Sequence, residues 1–148
     1  ELLIDRPRSM TCVDISPAVL KAARARLHDD PRARFLQADM NALPLAAESF
    51  DQVLLMHALT YTRTPRRVIN SASRLLRPGG TLLIATLDAH NHSLAEESFD
   101  HLNRGMSPHD LHDALQSAQL NVGWCDVACQ EGRPPYFKVV VARAEKPR

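Results

Sequence analysis

The sequence has no strong charge bias, few cysteines and no long apolar run, and each absence excludes a class of protein. Its 18 basic and 17 acidic side chains leave a formal charge of +1, which gives no electrostatic reason to expect a nucleic-acid or membrane partner. Three cysteines are too few for a disulfide framework. No apolar segment is long enough to span a bilayer, and the first residues do not resemble a signal peptide. We therefore expect a cytoplasmic protein whose chain binds neither nucleic acid nor membrane.

A glycine-rich phosphate loop is also missing from the place where one would be expected. Asp14 lies between the apolar segment Met10–Val13 and a helix that Ser16 and Pro17 are suited to begin. In nucleotide-binding sheets an acidic residue at such a position binds a ribose, with the glycine loop about 20 residues earlier. Only thirteen residues precede Asp14. From the residues alone, Asp14 belongs either to an incomplete nucleotide site or to an ordinary turn between strand and helix.

Apolar segments alternate with helical patterns along most of the chain, as they do in α/β proteins. Strands are predicted at Met10–Val13, Arg34–Gln37, Phe50–Met56, Thr81–Leu87, Val122–Val127 and Tyr136–Ala142, with helices beginning near Ser16, Thr64 and Ser107. The near-continuous apolar run at Phe50–Met56 predicts a strand covered on both faces. The last two strands are joined by a short connection and must be antiparallel. We predict one α/β domain, residues 1–148, with a mostly parallel sheet, helices on both faces and an antiparallel strand pair at its end.

Three segments in a fixed order carry a family resemblance. They are "VDIS" (13–16), "QADMNALPLAAESFDQVLLMHALTY" (37–61) and "ASRLLRPGGTLLIATL" (72–87). In this order and spacing they resemble the motifs of class I S-adenosylmethionine-dependent methyltransferases. The later segment "RGMSPHDLHDALQSAQL" is similar to the end of family members that modify small molecules such as quinones or the pimeloyl carrier thioester. It also resembles methyltransferase domains fused behind winged-helix repressors of the arsenic-responsive type.

The resemblance implies a Rossmann-like doubly wound fold and S-adenosylmethionine as the cofactor. It also implies that the first strand and the glycine-rich motif are absent from this chain, so that Glu1 to Ile4 would be the end of the helix that follows them. A parallel sheet without its middle strand exposes two unpaired edges. We therefore expect a piece of a longer protein that binds the cofactor weakly on its own; a homodimer that shares strands is the alternative.

The same resemblance assigns the adenosine of the cofactor to two strand ends. Asp14 would accept hydrogen bonds from both ribose hydroxyls, since an ionised carboxylate offers only acceptors, and Ile15 would lie against the adenine. Asp39 would accept from the adenine amino group, while the Met40 amide meets a ring nitrogen and its side chain packs on the base. The alternative is that Asp14 and Asp39 are turn residues that close their strands.

At the end of the next strand, Met56, His57 and Ala58 would line the methionine part of the cofactor. His57 and Tyr61 are the weak candidates for a catalytic role, because a histidine can carry or release a proton near neutral pH. A histidine at a strand end is more often structural. Methyl transfer to a good nucleophile needs mainly in-line placement of the methyl group, so a catalytic base is not required.

Several other side chains favour structural roles. The histidines at positions 90, 92, 101, 109 and 112 lack the spacing of a metal site, so no metal is predicted. Cys125 and Cys129 are interpreted as buried thiols. Trp124, Tyr136 and Phe137 are predicted to be aromatics of the edge strands and to belong to the core.

The expected function is therefore S-adenosylmethionine-dependent methyl transfer to a small-molecule substrate. One alternative is a non-catalytic domain that senses a cofactor or effector in a transcriptional regulator. A less favoured alternative is a fragment of an NAD-dependent dehydrogenase, since an acidic residue after the second strand also suits a ribose there.

Overall fold

The computed structural model describes residues 7–91 and 100–148, which fall into two compact units. The first unit ends at Pro44 and the second begins at Leu45. Each unit has its own sheet and at least one helix of its own. Within the described ranges, no helix is both long and apolar enough to cross a membrane.

The first unit contains two parallel strands connected by a helix. Its elements are β1 (Met10–Asp14), α1 (Pro17–Arg26) and β2 (Ala33–Gln37). The helix begins as predicted: the Ser16 hydroxyl accepts a hydrogen bond from Val19 N at 3.4 Å, and Pro17 occupies the first helical position. None of the described residues of this unit is fully buried.

Side-chain contacts brace this unit around its helix. Asp30, in the turn after α1, forms an ion pair with Arg32 at 2.7 Å. The side-chain hydrogen bonds from Arg32, followed by the hydrogen bond from its backbone amide, lower the pKa of Asp30 to about 2. On the other side of the helix, the Arg24 guanidinium lies 4.7 Å from the centre of the Phe35 ring. These polar contacts add to the parallel β1–β2 ladder and to the packing of α1 on both strands.

The described residues of the second unit form a four-stranded mixed sheet and two helices. In chain order its elements are β3 (Phe50–Met56), a 3-10 turn (Leu59–Tyr61), α2 (Pro65–Leu75), β4 (Leu76–Leu87), α3 (Pro108–Ser117), β5 (Asn121–Gln130) and β6 (Lys138–Glu145). The strand order is β3-β4-β6-β5, with β3 and β4 parallel and the other two ladders antiparallel. With the parallel pair of the first unit, two of the four described ladders are parallel. The α/β class and the antiparallel final pair are confirmed, and the mostly parallel sheet is confirmed only in part.

The core of the second unit lies between one face of this sheet and the two helices. On the sheet, the most deeply buried side chains alternate along β4 and β6: Leu82, Ile84, Thr86, Val140, Ala142 and Ala144. The helices add Val68, Ile69, Ala72 and Leu75 from α2, and Leu111, Ala114 and Leu115 from α3. A hydrogen bond of 2.9 Å from the Ser73 hydroxyl to the Ala118 carbonyl joins the two helices. The buried side chains of α2 and α3 thus recur at helical spacing along one face of each helix.

Strands β3 and β4 differ from the prediction in burial and length. Leu54 and Met56 are 37% and 60% exposed, so β3 is not covered on both faces. Their register partners place them on the sheet face opposite the helices, which explains the exposure. Strand β4 begins at Leu76, directly after α2, because Leu76 already pairs with Phe50.

Strand β5 is also less buried than predicted. Trp124 is 47% exposed and Tyr136 is 52% exposed, and Cys129 is exposed as well, so the core prediction was wrong for these three residues. Only Phe137, at 6%, belongs to the core. For Trp124 and Cys129 the physical reason is position: among the described strands, β5 has β6 as its one neighbour and lies at the edge of the sheet. Tyr136 lies in the connection before β6, which begins at Lys138 and not at Tyr136 as predicted.

The ladder between β5 and β6 contains two register shifts, which leave Gly123 and Ala128 as the extra residues of two bulges. Cys125 lies between them and is half-buried, with its Sγ 3.3 Å from the Pro108 carbonyl. Burial raises the pKa of this thiol, and the neighbouring Asp126 carboxylate adds to the effect. Cys125 is thus the partly buried thiol of the pair.

Candidate functional site

Two carboxylates lie at the carboxyl ends of neighbouring parallel strands in the first unit. Asp14 is the last residue of β1 and is opposite Gln37, the last residue of β2; Asp39 follows two positions later. A hydrogen bond of 3.1 Å from Ala38 N to the Asp14 carbonyl continues the ladder beyond the strands. In α/β sheets, ligands bind at this edge. The structure therefore places both predicted adenosine-binding carboxylates at an edge suited to a ligand.

Each carboxylate also closes a turn. Asp14 Oδ1 accepts from Ser16 N at 2.8 Å, and Asp39 Oδ1 accepts from both Asn41 N and Asn41 Nδ2 at 2.8 Å. These are the Asx turns of the structural alternative. A carboxylate has about four acceptor positions, so the turn at Asp14 is compatible with hydrogen bonds to a ribose. The turn interpretation is thus correct as geometry and leaves the binding role of Asp14 open.

Ile15 directly follows Asp14, and Met40 directly follows Asp39. Ile15 is 68% exposed, and its carbonyl accepts from Gln37 Nε2 at 3.2 Å, which ties the loop after β1 to β2. Met40 is half-buried. An adenosine needs acceptors for its hydroxyls and amino group and an apolar surface for its base. The residues present at this edge supply both and fit the adenosine part of the cofactor that the motifs imply.

In the second unit, the predicted methionine-lining residues follow strand β3. Met56 is its last residue, and His57 N donates to the Ala85 carbonyl at 2.7 Å, which extends the β3–β4 pairing by one position. His57 is exposed and has a left-handed backbone, with φ +52°. Non-glycine residues in this conformation cost free energy and are found often at functional sites. Ala58 then begins the 3-10 turn.

The segment at 101–106 is fixed to this 3-10 turn by hydrogen bonds that the sequence did not reveal. Asn103 Nδ2 donates to the Leu59 and Thr62 carbonyls, at 2.7 Å each, and Leu102 N donates to the Thr60 carbonyl at 2.8 Å. Met106 N donates to the Leu87 carbonyl at 2.9 Å, at the end of β4. The segment therefore crosses the carboxyl ends of the two parallel strands β3 and β4.

Gly105 makes this crossing possible. Its φ is +84°, and a Cβ there would overlap the carbonyl oxygens of Asp88 and Leu87. Its amide donates to Asn103 Oδ1 at 2.8 Å. A glycine is thus required at this position for conformation and for space.

A row of aromatic rings lies at the same end of the second unit. The Tyr61 and His101 rings meet edge to face with centroids 5.4 Å apart, and the His90 and Phe137 rings are 4.8 Å apart. His101 links the two pairs, at 6.1 Å from Phe137 and 6.5 Å from His90. We call these four residues the ring row. Sequence reasoning missed it because its members come from four separate segments and the two histidines were considered only as metal ligands.

Other histidines have simpler surroundings. Both His109 and His112 lie near Asp113, at 3.6 Å and 3.9 Å. Over residues 7–91 and 100–148, no group of three or more histidine, cysteine or acidic side chains is arranged to hold a metal ion. His92, one of the five histidines considered as metal ligands, lies outside the described residues.

Sequence comparison relates the chain to known enzymes. Residues 1–84 match the family described as "Methyltransferase domain". A malonyl-(acyl-carrier protein) O-methyltransferase of Hahella chejuensis is 33% identical over 121 residues, which cover 77% of this chain and 43% of that protein. A demethylmenaquinone methyltransferase of Clavibacter sepedonicus is 29% identical over 99 residues, 67% of this chain and 40% of that protein. The chain thus spans about two fifths of the length of these relatives.

Comparison with solved structures finds methyltransferases that share the fold of this chain. An S-adenosylmethionine-dependent methyltransferase from Mesorhizobium loti superimposes with a TM-score of 0.79 at 17% identity, over 94% of this chain and 81% of that one. This likeness confirms the Rossmann-like α/β fold that the motifs predicted. The family match does not favour the regulator or dehydrogenase alternatives, and S-adenosylmethionine is the cofactor that it supports. Because the match covers more than half of the sequence, this chain belongs to the methyltransferase domain family.

Proposed function

We propose that this chain is part of an enzyme that transfers a methyl group from S-adenosylmethionine to a small molecule, and that its first unit holds the adenosine. The observation that carries the proposal is the position of Asp14 and Asp39 at the carboxyl ends of two neighbouring parallel strands. Two acceptor groups at this edge match the donors of adenosine, which are the ribose hydroxyls and the adenine amino group. Family membership supports methyl transfer as the reaction.

When bound, the cofactor supplies a sulfonium methyl group: the acceptor atom bonds to the methyl carbon as the carbon–sulfur bond breaks, and one proton leaves the acceptor. The protein contributes mainly orientation. Asp14 accepts from both ribose hydroxyls, and its hydrogen bond from Ser16 N holds the carboxylate in place for this. Asp39 and the Met40 amide bind the adenine edge, with Ile15 against its face.

Met56, His57 and Ala58 line the methionine part of the cofactor. The left-handed backbone of His57 supports this role, because it is the kind of conformation that functional sites retain at a cost in free energy. His57 and Tyr61 are the candidates to receive the proton from an acceptor that does not lose it readily. A strongly nucleophilic acceptor needs neither.

Three further proposals concern the whole protein. The family match runs through the boundary between the two units, which supports one domain over residues 1–148. The three cysteines are free thiols, which supports a reducing, cytoplasmic location. The curated relatives are named as acting on a carrier-bound malonyl group and on demethylmenaquinone, and this supports a small organic acceptor.

Calorimetry with S-adenosylmethionine and the protein as the cell makes it tests the proposal, with Asp14→Asn as the variant and Asp126→Asn, an exposed carboxylate on β5, as the matched control. Loss of charge-assisted hydrogen bonds predicts about 10- to 100-fold weaker binding for Asp14→Asn, and unchanged binding for the control. Equal affinity of Asp14→Asn and the unsubstituted protein overturns the adenosine assignment. Transfer of a labelled methyl group to a metabolite extract tests the reaction; binding without any transfer supports the sensor alternative instead.

A further inference from the structure

Tyr61 is an exposed ring on a firmly held backbone. The 3-10 turn that carries it is buried at Leu59 and Thr60, which are each 1% exposed. Its carbonyl groups are held by Asn103 and by the Leu102 amide, as described above. The Tyr61 side chain nevertheless remains 47% exposed. The fold therefore fixes the position of this phenol ring without using it to fill the core.

The ring row runs from this surface position into the core. Its inner end, Phe137, is 6% exposed and packs with Ala85, Leu87 and Val139. Its outer end is Tyr61, which His101 contacts edge to face. The row thus supports Tyr61 from behind with rings whose positions are set by the core.

An exposed apolar side chain adjoins the outer end of the row. Leu102 is 48% exposed, follows His101 directly and is tied through its amide to the carbonyl that precedes Tyr61. The apolar surface around Tyr61 and Leu102 lies at the carboxyl ends of the parallel strands β3 and β4, the edge at which α/β proteins bind ligands. The Leu102 amide and the Tyr61 backbone belong to one hydrogen-bonded unit, which holds both exposed side chains at this edge.

We propose that Tyr61, His101 and Leu102 form a substrate-binding surface, and that the part of the substrate bound there is a planar aromatic ring. This inference rests on the proposed function, because it assigns the acceptor of the methyl group. An aromatic ring fits the chemistry of the surface: two rings already in edge-to-face contact offer stacking geometry to a third, and Leu102 offers an aliphatic border. A flexible acyl chain can cover the same apolar surface, but it has no ring face or edge to complement the Tyr61 and His101 rings.

The experiment measures binding of 2-naphthol to the protein as the cell makes it, by titration monitored by NMR, with decanoate as an aliphatic competitor. Tyr61→Ala is expected to weaken 2-naphthol binding by about five- to tenfold, and Tyr61→Phe, which keeps the ring, by less than about twofold. Trp124→Ala is the matched control, since Trp124 is also 47% exposed but lies on edge strand β5. It is expected to bind 2-naphthol unchanged. Leu102→Ala provides a second variant in case Tyr61→Ala does not fold.

Three results overturn the proposal. They are no measurable binding of 2-naphthol to the unsubstituted protein, equal binding of 2-naphthol by folded Tyr61→Ala, and binding of decanoate to the same surface as tightly as 2-naphthol. The last result assigns the surface to an acyl chain. Binding of S-adenosylmethionine is measured on the same samples. Failure of cofactor binding with retained 2-naphthol binding rejects the proposed function alone, and the reverse pattern rejects only the aromatic surface.

Discussion

The first unit carries the proposed adenosine-binding carboxylates on a scaffold with no fully buried described residue, whereas the second unit carries the proposed substrate surface on an extensive core. Among the described residues, every fully buried apolar side chain lies between Leu59 and Ala144. The described residues of the first unit form two strands and one helix, and a two-stranded sheet has little stability of its own. Local contacts, such as the Asp30–Arg32 pair and the turns at Asp14 and Asp39, account for much of its order.

This difference separates two ways of holding a functional residue. In the first unit, Asp14 and Asp39 are each held by a hydrogen bond to a residue two places away. In the second, Tyr61 and Phe137 are positioned by packing and by contacts between distant segments. Substitutions in the first unit should therefore lower the free energy of unfolding mainly by removing capping and turn hydrogen bonds. In the second unit they should lower it mainly by creating cavities or steric overlap.

The largest expected effect comes from truncating equivalent apolar side chains on the two units' helices. Leu115→Ala in α3 removes a side chain that is 0% exposed and should lower the free energy of unfolding by about 2–5 kcal/mol. Val19→Ala in α1, where the side chain is 50% exposed, should change it by less than about 0.5 kcal/mol. Urea denaturation followed by circular dichroism measures both. Similar losses in the two variants contradict the contrast in burial.

A glycine comparison within the second unit should give the next largest effect. Gly105→Ala forces a left-handed alanine against two carbonyl oxygens and should cost about 1–3 kcal/mol. Gly132→Ala is the control, since no heavy atom lies within 4 Å of its added Cβ. Denaturation curves of the two variants provide the measurement. A harmless Gly105→Ala means that segment 101–106 adapts more easily than its contacts indicate.

Removing the helix caps of the two units should change stability by a smaller amount. Ser107 accepts from Asp110 N at 3.1 Å and donates to Asp110 Oδ2 at 2.7 Å, so Ser107→Ala should cost about 1 kcal/mol. Ser16 makes a longer contact of 3.4 Å, and Ser16→Ala should cost about half as much. Thermal unfolding of each variant measures the loss, and the Ser→Asn variants, which keep a neutral acceptor, should restore most of it. A larger loss at Ser16 reverses the expected order.

The smallest effect should be the pH dependence of the Asp30–Arg32 pair. The folded-state pKa of Asp30, about 2, is below the unfolded value of about 3.9. The pair therefore contributes stability above pH ~4, and the contribution is lost as the pH falls toward about 2. The stability difference between the unsubstituted protein and Asp30→Asn should be constant at neutral pH and vanish in acid. A carboxyl carbon NMR titration with a midpoint near the ordinary aspartate value contradicts the assignment.

Features set by neighbouring residues could be predicted from the sequence. Helices α1 and α3 begin where Ser16-Pro17 and Ser107-Pro108 place them, because a cap and a proline act within one turn. The meeting of Asp14 and Asp39 at one edge also follows from the sequence, since parallel neighbouring strands end on the same side.

Features set by contacts between distant parts of the chain could not be predicted from the sequence. The exposure of Trp124 depends on β5 being last in the strand order, and the ring row depends on bringing residues 61, 90, 101 and 137 together. Apolar character alone does not reveal the position of a strand within its sheet, so β3 and β5 were both predicted to be more buried than they are. The steric requirement for glycine at position 105 arises from the chain folding back on Asp88 and was equally hidden.

The two bulges of β5 also bear on aggregation. An edge strand of ten residues with Trp124 and Val127 exposed is the kind of segment that another chain can extend into a continuous sheet. The extra residues at Gly123 and Ala128 divide its ladder into short stretches, the longest running from Trp124 to Val127. An incoming strand can match the edge over only about four residues before it loses register. Backbone geometry, rather than charge, therefore disfavours polymerisation of the protein along this edge.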